Sequence, residues 1–414
     1  MTDGGGPPST PASAAPDRAA TPGHTRQWGF AALLGALSMV SPFSIDTFFP
    51  SFHAIAREFS LTPWDVQQTL TVYLVPLAFM SLIQGPLSDS IGRRPVVLGG
   101  LTLYSVASVG CAFAPNFATL LAFRVVQGGT AGVGTIVGRA VIRDLHNGPQ
   151  AQKLMSLVVM IFAFAPAVAP IVGGWIQVTL GWRAVFGFMI LIGVVVTAGA
   201  FMTLPETHPR ERRTALRPEN LARMAVDVVR NREFRLLALA MGANFAAMMS
   251  FVGAAPAVVV EHWHLRETQF AWLFAPIIGG FILGAWISGR LAGRVVGRVQ
   301  AEVGFTLALA GAALMTALTA LSPAPPIPLQ QLLLSIIAVG VQLVQPVLNL
   351  RMLDLFPGAR GSAASVQSCV SIMISAAVFG QLVPLLSGSL LTLSAGSCVG
   401  AMIAFGLWRL ARHT

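Results

Sequence analysis

Gly85-Pro86-Leu87-Ser88-Asp89-Ser90-Ile91-Gly92-Arg93-Arg94-Pro95 is a short polar interruption between two long apolar runs, residues 66–87 and 95–114. Each flanking run has about 20 residues, enough for a helix to cross a hydrocarbon core of about 30 Å. Gly85 and Gly92 permit a tight turn at a membrane surface. Arg93 and Arg94 would hold the turn in water on one side, with Asp89 as the lone acid among them.

Working outward, the same alternation continues to both ends of the chain. Apolar runs cover 28–50, 66–87, 95–114, 117–141, 153–179 and 182–204, then 235–259, 268–289, 302–321, 329–350, 361–386 and 390–410. That is twelve candidate transmembrane helices, in two sets of six. The expected organisation is a disordered tail (1–27), a six-helix half (28–204), a polar central loop (205–234), a second half (235–411) and a short tail (412–414). The tail is rich in Gly, Pro, Ala, Ser and Thr and cannot bury enough apolar surface to fold. It also lacks the basic start and cleavage site of a signal peptide.

Composition agrees with an all-α integral membrane protein. Of 414 residues, 55% are hydrophobic and 10% charged, with mean hydropathy +0.72, against roughly 25% charged in a soluble domain. The net charge of +10 does not point to nucleic acid, because the basic residues lie between spans rather than on one face. With both termini on one side, 22 of the 26 basic residues fall in loops and tails on that side. Arg57, Arg183 and Arg266 fall on the other side and Arg124 within a span. Basic loops stay cytoplasmic, so both ends are expected in the cytoplasm. The chain has three cysteines, Cys111, Cys369 and Cys398, all in apolar runs, which read as small buried side chains and not as a disulfide framework.

Asp46 and Arg124 are the acidic and basic residues placed deep within spans. A charge at that depth costs several kcal/mol unless paired or wetted, so each is a functional candidate. Asp46 lies four residues before the end of the first span and Arg124 seven residues into the fourth. The spans run in opposite directions, so the two residues share a height to roughly one helical turn. An ordinary Asp titrates near about 3.9; burial raises a carboxyl's pKa and a guanidinium lowers it. A carboxyl whose surroundings alternate between these conditions can load and release a proton. The competing reading is a fixed structural ion pair.

Tyr73, Gln127, Asn244, Gln342, Gln345, Asn349 and Gln367 are candidate cavity groups, each equally readable as a helix-packing hydrogen bond. His262 and His264 flank Trp263 without a third metal ligand. No Ser, His and Asp arrangement reads as nucleophilic, and no Gly-x-x-x-x-Gly-Lys-Ser/Thr run would hold ATP. No metal or cofactor is expected, and the driving force is then an ion gradient.

The 85–95 stretch resembles the loop signature of the major facilitator superfamily, Gly-x-x-x-Asp-(Arg)-x-Gly-Arg-Arg, in its usual place between spans two and three. Gly289-Arg-Leu-Ala-Gly293-Arg-Val-Val-Gly297-Arg298 is similar to a degenerate second copy. Arg124-Val-Val-Gln127-Gly128 resembles the fourth-helix motif. Ala165-Pro166-Ala-Val-Ala169-Pro170-Ile-Val-Gly173-Gly174 is similar to the fifth-helix antiporter motif, with Pro166, Pro170, Gly173 and Gly174 matching and Ala169 in place of a glycine. Ala165, Ala169 and Gly173 fall four apart and make one flat helix face for close packing.

Ser44-Ile45-Asp46-Thr47-Phe48-Phe49-Pro50, Arg139 to Asp144 and Phe356 to Ser365 resemble the bicyclomycin-resistance/CflA branch of drug:proton antiporters. The resemblance covers nearly all of 28–410. It implies two pseudo-symmetric six-helix bundles, the major facilitator fold, in the bacterial inner membrane. It also implies proton-coupled export of bicyclomycin-, phenicol- or sulfonamide-like drugs by a monomer, with Asp46 and Arg124 coupling protons. Gly85, Asp89, Gly92, Arg93 and Arg94 would form a conformational latch, Asp89 facing the start of the eleventh span near Gly361-Ser362. Ser90 stands where the family has an arginine, which puts one ion pair of the latch, to Asp144, in question. The alternative in the same fold is an uptake symporter for a sugar, organic acid or metabolite. An enzyme, a passive channel and a sensor lack support in the motifs.

Overall fold

The computed structural model describes residues 24–412, apart from 147, 323 and 358. The expected tails, 1–27 and 412–414, therefore lie mostly outside the described residues; the first helix already begins at His24. The N half comprises α1 (His24–Asp46), α2 (Phe52–Phe59), α3 (Pro63–Ile91), α4 (Arg93–Ala112), α5 (Phe117–Ala131), α6 (Val133–Leu145), α7 (Gly148–Leu180) and α8 (Trp182–Thr203). A connecting helix, α9 (Pro218–Arg230), follows. The C half comprises α10 (Arg232–Gly253), α11 (Ala271–Leu291), α12 (Gly297–Leu321), α13 (Ile327–Asp354), α14 (Arg360–Ala377), α15 (Val383–Leu386) and α16 (Leu390–Ala411). No strand occurs among the described residues.

Eleven of the described helical segments are long and apolar enough to cross a membrane. The twelfth crossing is α7, whose Val168–Leu180 is a shorter apolar helix and whose full 33 residues extend roughly 50 Å. The fourth crossing is α5 and α6 in line, bent at Gly132. The eleventh is α14 and α15 joined by a π turn over Val378–Leu382. The large apolar side chains left exposed, such as Leu191, Val195, Phe201 and Trp286, are those a bilayer would solvate.

Helix starts coincide with residues that satisfy free backbone donors at the polar boundary. Thr62 and Asp65 form a reciprocal capping box ahead of α3. Asn116 caps α5, Asn231 caps α10 and Ser389 caps α16.

Three boundaries differ from expectation. The first crossing does not stop at Pro50: a 3-10 turn, Phe49–Ser51, carries the chain into α2 and on to Phe59. Pro50 sits in the first turn of that element, where proline has no donor to withhold. Gly85 lies inside α3 with open space around it, so it is not part of the turn. The turn is Gly92 alone, at φ 114°, joining α3 directly to α4. Finally, the 205–234 loop contains α9, whose Leu221, Met224, Ala225 and Val228 recur at helical spacing, with Val228 buried on the C half beside Phe234.

The halves meet most closely at the end opposite the termini. The side-chain hydrogen bonds that join them among the described residues are all there: Gln67 Nε2 to the Gly253 carbonyl (3.0 Å), Gln68 Nε2 to the Gly380 carbonyl (3.1 Å), and His53 with Glu261 (3.0 Å). Across the same seam Phe49 meets Phe274 at a tilt and Phe379 edge-on. Gly380 lies within the π turn, which takes carbonyls out of the regular ladder and leaves one for Gln68.

Candidate functional site: a buried polar network in the N half

Arg124 is fully buried on α5. Close helix crossings put it there. A Cβ on Gly128 would strike the Tyr73 carbonyl of α3 and one on Gly134 the Leu37 carbonyl of α1, so the fourth crossing lies directly on both backbones.

The guanidinium is held by neutral groups. Nε donates to the Thr69 carbonyl (3.3 Å), and Nη1 donates to the Ser44 carbonyl (3.2 Å) and to Gln127 Oε1 (2.7 Å). The faces of Phe48 and Tyr73 lie 4.7 and 4.5 Å from its carbon, in cation–π range. Its Nη2 makes no hydrogen bond with the described residues.

Around it the network closes on itself. Gln127 Nε2 donates to Ser108 Oγ (2.7 Å). Tyr104 and Ser44 share a 2.5 Å hydroxyl–hydroxyl bond, and the Tyr73 hydroxyl donates to Ser41 (3.3 Å to its carbonyl). The chain has two tyrosines, and both are here. Tyr73 and Gln127 were expected at such a site; Tyr104, Ser41, Ser44, Thr69 and Ser108 were not, because uncharged residues in apolar runs look like packing.

Asp46 closes α1 one turn from this network and is 7% exposed. Among the described residues its carboxylate forms no hydrogen bond or ion pair, and none joins it to Arg124. Shared height did not bring a direct pair, because Arg124 turns toward the Ser44 and Thr69 carbonyls instead.

The fifth-helix motif sits beside Asp46. A Cβ on Gly173 would strike the Thr47 carbonyl and one on Gly174 the Glu267 carbonyl of the C half. Adjacent glycines thus let α7 touch its own half on one face and the opposite half on the next. Ala165 and Ala169 are buried against Phe43, Pro170 is buried and Pro166 half-buried.

The latch residues are tied to the N half and the central segment. Arg93 pairs with Asp89 (2.5 Å) and with Asp144 (3.1 Å), and donates to Ser88 Oγ. Its backbone N–H donates to Glu206, and Arg94 donates to the Phe201 carbonyl. Asp144 therefore keeps an arginine partner although Ser90 only caps the Leu87 carbonyl. No hydrogen bond or ion pair joins Asp89 to the start of α14 among the described residues: its carboxylate pairs with Arg93, and its backbone carbonyl accepts from Thr214 N–H.

The remaining cavity candidates lie in the C half. Asn244 on α10 is buried with Oδ1 unpartnered. Gln367 on α14 reaches only Met241 Sδ, at 3.7 Å. Gln342, Gln345 and Asn349 on α13 are half-buried and make no side-chain hydrogen bond among the described residues. No cluster of three metal-ligating side chains occurs among the described residues.

Twelve crossings in two halves, a Gly-Arg-Arg turn between the second and third and a buried arginine on the fourth define a secondary-transporter architecture. The Major Facilitator Superfamily matches residues 34–380, and the chain belongs to that family. It is 33% identical over 261 residues to a bicyclomycin resistance protein homolog of Haemophilus influenzae, covering 63% of this chain and 66% of that protein. It is 29% identical over 284 residues to a chloramphenicol resistance protein of Pseudomonas aeruginosa, covering 68% of this chain and 67% of that one. The chain thus spans about two thirds of the length of these relatives. The crystal structure of the human organic anion transporter MFSD10 (TETRAN) superposes with a TM-score of 0.68 over 93% of this chain and 99% of that one. At 16% identity that likeness speaks for the fold alone.

Proposed function

We propose that the protein is a proton-coupled exporter of small amphipathic antibiotics, of the bicyclomycin, phenicol or sulfonamide kind, working by alternating access in the bacterial inner membrane with both termini in the cytoplasm. The observation that carries the reading is Asp46: a buried acid at the end of α1 within the first crossing, with no hydrogen-bond or ion-pair partner among the described residues, near an arginine held by neutral groups whose Nη2 makes no hydrogen bond there. Native proteins seldom leave such groups unpaired without a use. Relatives named for bicyclomycin and chloramphenicol resistance support the substrate class.

In the mechanism, the two halves rock about the seam now closed at the end opposite the termini. Burial favours the neutral form of a carboxyl; water or a guanidinium favours the charged one. Rocking changes which of these acts on Asp46, so each cycle can carry one proton inward as drug moves outward. Gly173, packed on the Thr47 carbonyl, transmits motion of α7 directly to the residue beside Asp46.

The test is Asp46→Asn in everted vesicles from an efflux-deficient host, with a drug panel and an uncoupler. The variant should insert normally and lose proton-driven drug transport to background. Active efflux that survives the substitution rules out Asp46 as the carrier.

A further inference from the structure

Between α1 and α8 lies a pit of about 320 Å³. Ala36, Met39 and Phe43 line it from α1, and Phe188, Ile192 and Val195 from α8; every described residue that lines it is apolar. The two helices meet at both ends of it. At one end the Phe43 and Phe188 rings lie 6.3 Å apart; at the other, a Cβ on Gly199 would come within 3.3 Å of Leu33. Behind Phe43 stand Ala165 and Ala169 of α7, and Met39, Phe188 and Ile192 pack against the same cluster. Leu191 and Val195 on the rim are 58% and 60% exposed, so the pit opens sideways from the bundle.

Depth decides what it opens to. α8 begins at Trp182, and Phe188 and Val196 lie about 9 and 21 Å along it. A hydrocarbon core of about 30 Å therefore contains the whole pit, and the medium at its mouth is lipid tails. An apolar cavity of about half this size stays dry and takes up a small hydrocarbon, and an unfilled one forfeits dispersion contacts on every wall. The walls also limit the occupant. A drug with hydroxyl or amide groups would leave them unpaired here, and an ion would find no countercharge. An acyl chain carries neither kind of group, and it runs along the bilayer normal, as a pit between two antiparallel membrane helices does.

We propose that this pit is a binding site for one acyl chain of a membrane phospholipid, held there in preference to the rest of the bilayer-facing surface. Ala36, Met39, Phe43 and Asp46 follow one another at three, four and three residues, so the pit and the acid share one side of α1. The chain packs on Phe43, one turn before Asp46, and helps to seat α1 on α7. The effect on Asp46, unlike the site itself, rests on the coupling role proposed above.

A phosphatidylcholine with a photoreactive diazirine at mid-chain, mixed into liposomes that hold the full-length protein, tests the site without any transport. After irradiation and digestion, adducts at Met39 and Val195 should exceed those at Val106 and Leu314, exposed apolar side chains at similar depth on other helices, by about fivefold. Ala36→Phe fills the pit from the protein side and should bring its adducts down to the level of the other two positions. An even spread of adducts in the wild type overturns the site, and that result needs no variant to fold. So does an excess that persists in Ala36→Phe once its melting curve shows it folded. The effect on coupling is read from drug transport in straight-chain lipid and in diphytanoyl lipid, whose methyl branches widen the chain. The straight-to-branched ratio should be about threefold or more in the wild type and near one in Ala36→Phe. Equal ratios in the two proteins would be a property of the bulk bilayer and would remove the link to Asp46, leaving the site to the adduct map. If neither protein moves drug, the export reading fails, while the adduct map still decides the site.

Discussion

Arg124, Gln127, Tyr104, Ser44 and Ser108 in the N half are joined by hydrogen bonds of 2.5–3.2 Å and stacked on aromatic rings. Asn244, Gln345 and Ser371 in the C half make no side-chain hydrogen bond among the described residues. Both sets lie in a bilayer-spanning bundle where water is scarce, yet one is pre-organised and charged and the other is neutral and open. A duplicated fold therefore need not use its halves alike. A charge must be solvated by the protein at all times, whereas neutral groups can stand unpaired at moderate cost.

The largest effect that follows is at Arg124. Arg124→Leu would leave Gln127 Oε1 and the Ser44 carbonyl without donors in one step, each at about 1–3 kcal/mol, and would strip the Thr69 carbonyl of its second donor. Drug transport should drop at least 100-fold, with a clear fall in Tm of the purified protein. Arg124→Lys should recover little, because one ammonium cannot serve positions that the planar fork serves together. Wild-type-like transport by Arg124→Lys would mean that charge alone matters and that the network is incidental.

Next come the small residues, for which each half has an example. Gly173 packs on the Thr47 carbonyl in the N half, and Gly280 on the Ser335 carbonyl and Ala338 in the C half. Overpacking such a crossing costs about 1–3 kcal/mol, so Gly173→Val and Gly280→Val should lower Tm comparably. Only Gly173→Val shifts the backbone next to Asp46, so it alone should reduce proton-coupled transport per folded molecule, by about tenfold. Equal losses per folded molecule would erase the distinction between the half that holds Asp46 and the half that does not.

A smaller and sharper contrast comes from deleting one oxygen on each side. Tyr104→Phe removes the 2.5 Å bond to Ser44 and should destabilise by about 1 kcal/mol. Ser371→Ala removes a buried oxygen with no partner and should leave Tm unchanged or slightly raised. Thermal melts of the two variants, measured without drug, decide it; a destabilising Ser371→Ala would mean that its hydroxyl has a partner in the apo protein.

These contrasts also mark how far the sequence could be read. Full-span apolar runs made the twelve crossings legible, and charges inside such runs drew attention to Asp46 and Arg124. Counting residues gave their common height; it does not give azimuth, and Arg124 points to backbone carbonyls rather than to Asp46. Hydroxyls were harder, because Ser44, Ser108 and Tyr104 resemble ordinary span residues, though two tyrosines in 414 residues was a usable signal. Pro50 and Gly85 misled for a physical reason: each residue type breaks helices only where its missing donor or its φ matters, and at Gly85 the helix simply continues. In α9 the apolar spacing of Leu221, Met224, Ala225 and Val228 was present but masked by surrounding arginines.

The smallest effect is expected where the two halves touch through charge. His53 and Glu261 are 3.0 Å apart with side chains 31% and 55% exposed, and an exposed pair contributes about 0.2–1 kcal/mol. Glu261→Gln should therefore change transport by less than about fivefold. A loss comparable to that of Arg124→Leu would place the working electrostatics at the seam between the halves instead of inside the N half. Drug transport by the two variants in proteoliposomes, normalised to inserted protein, distinguishes these outcomes.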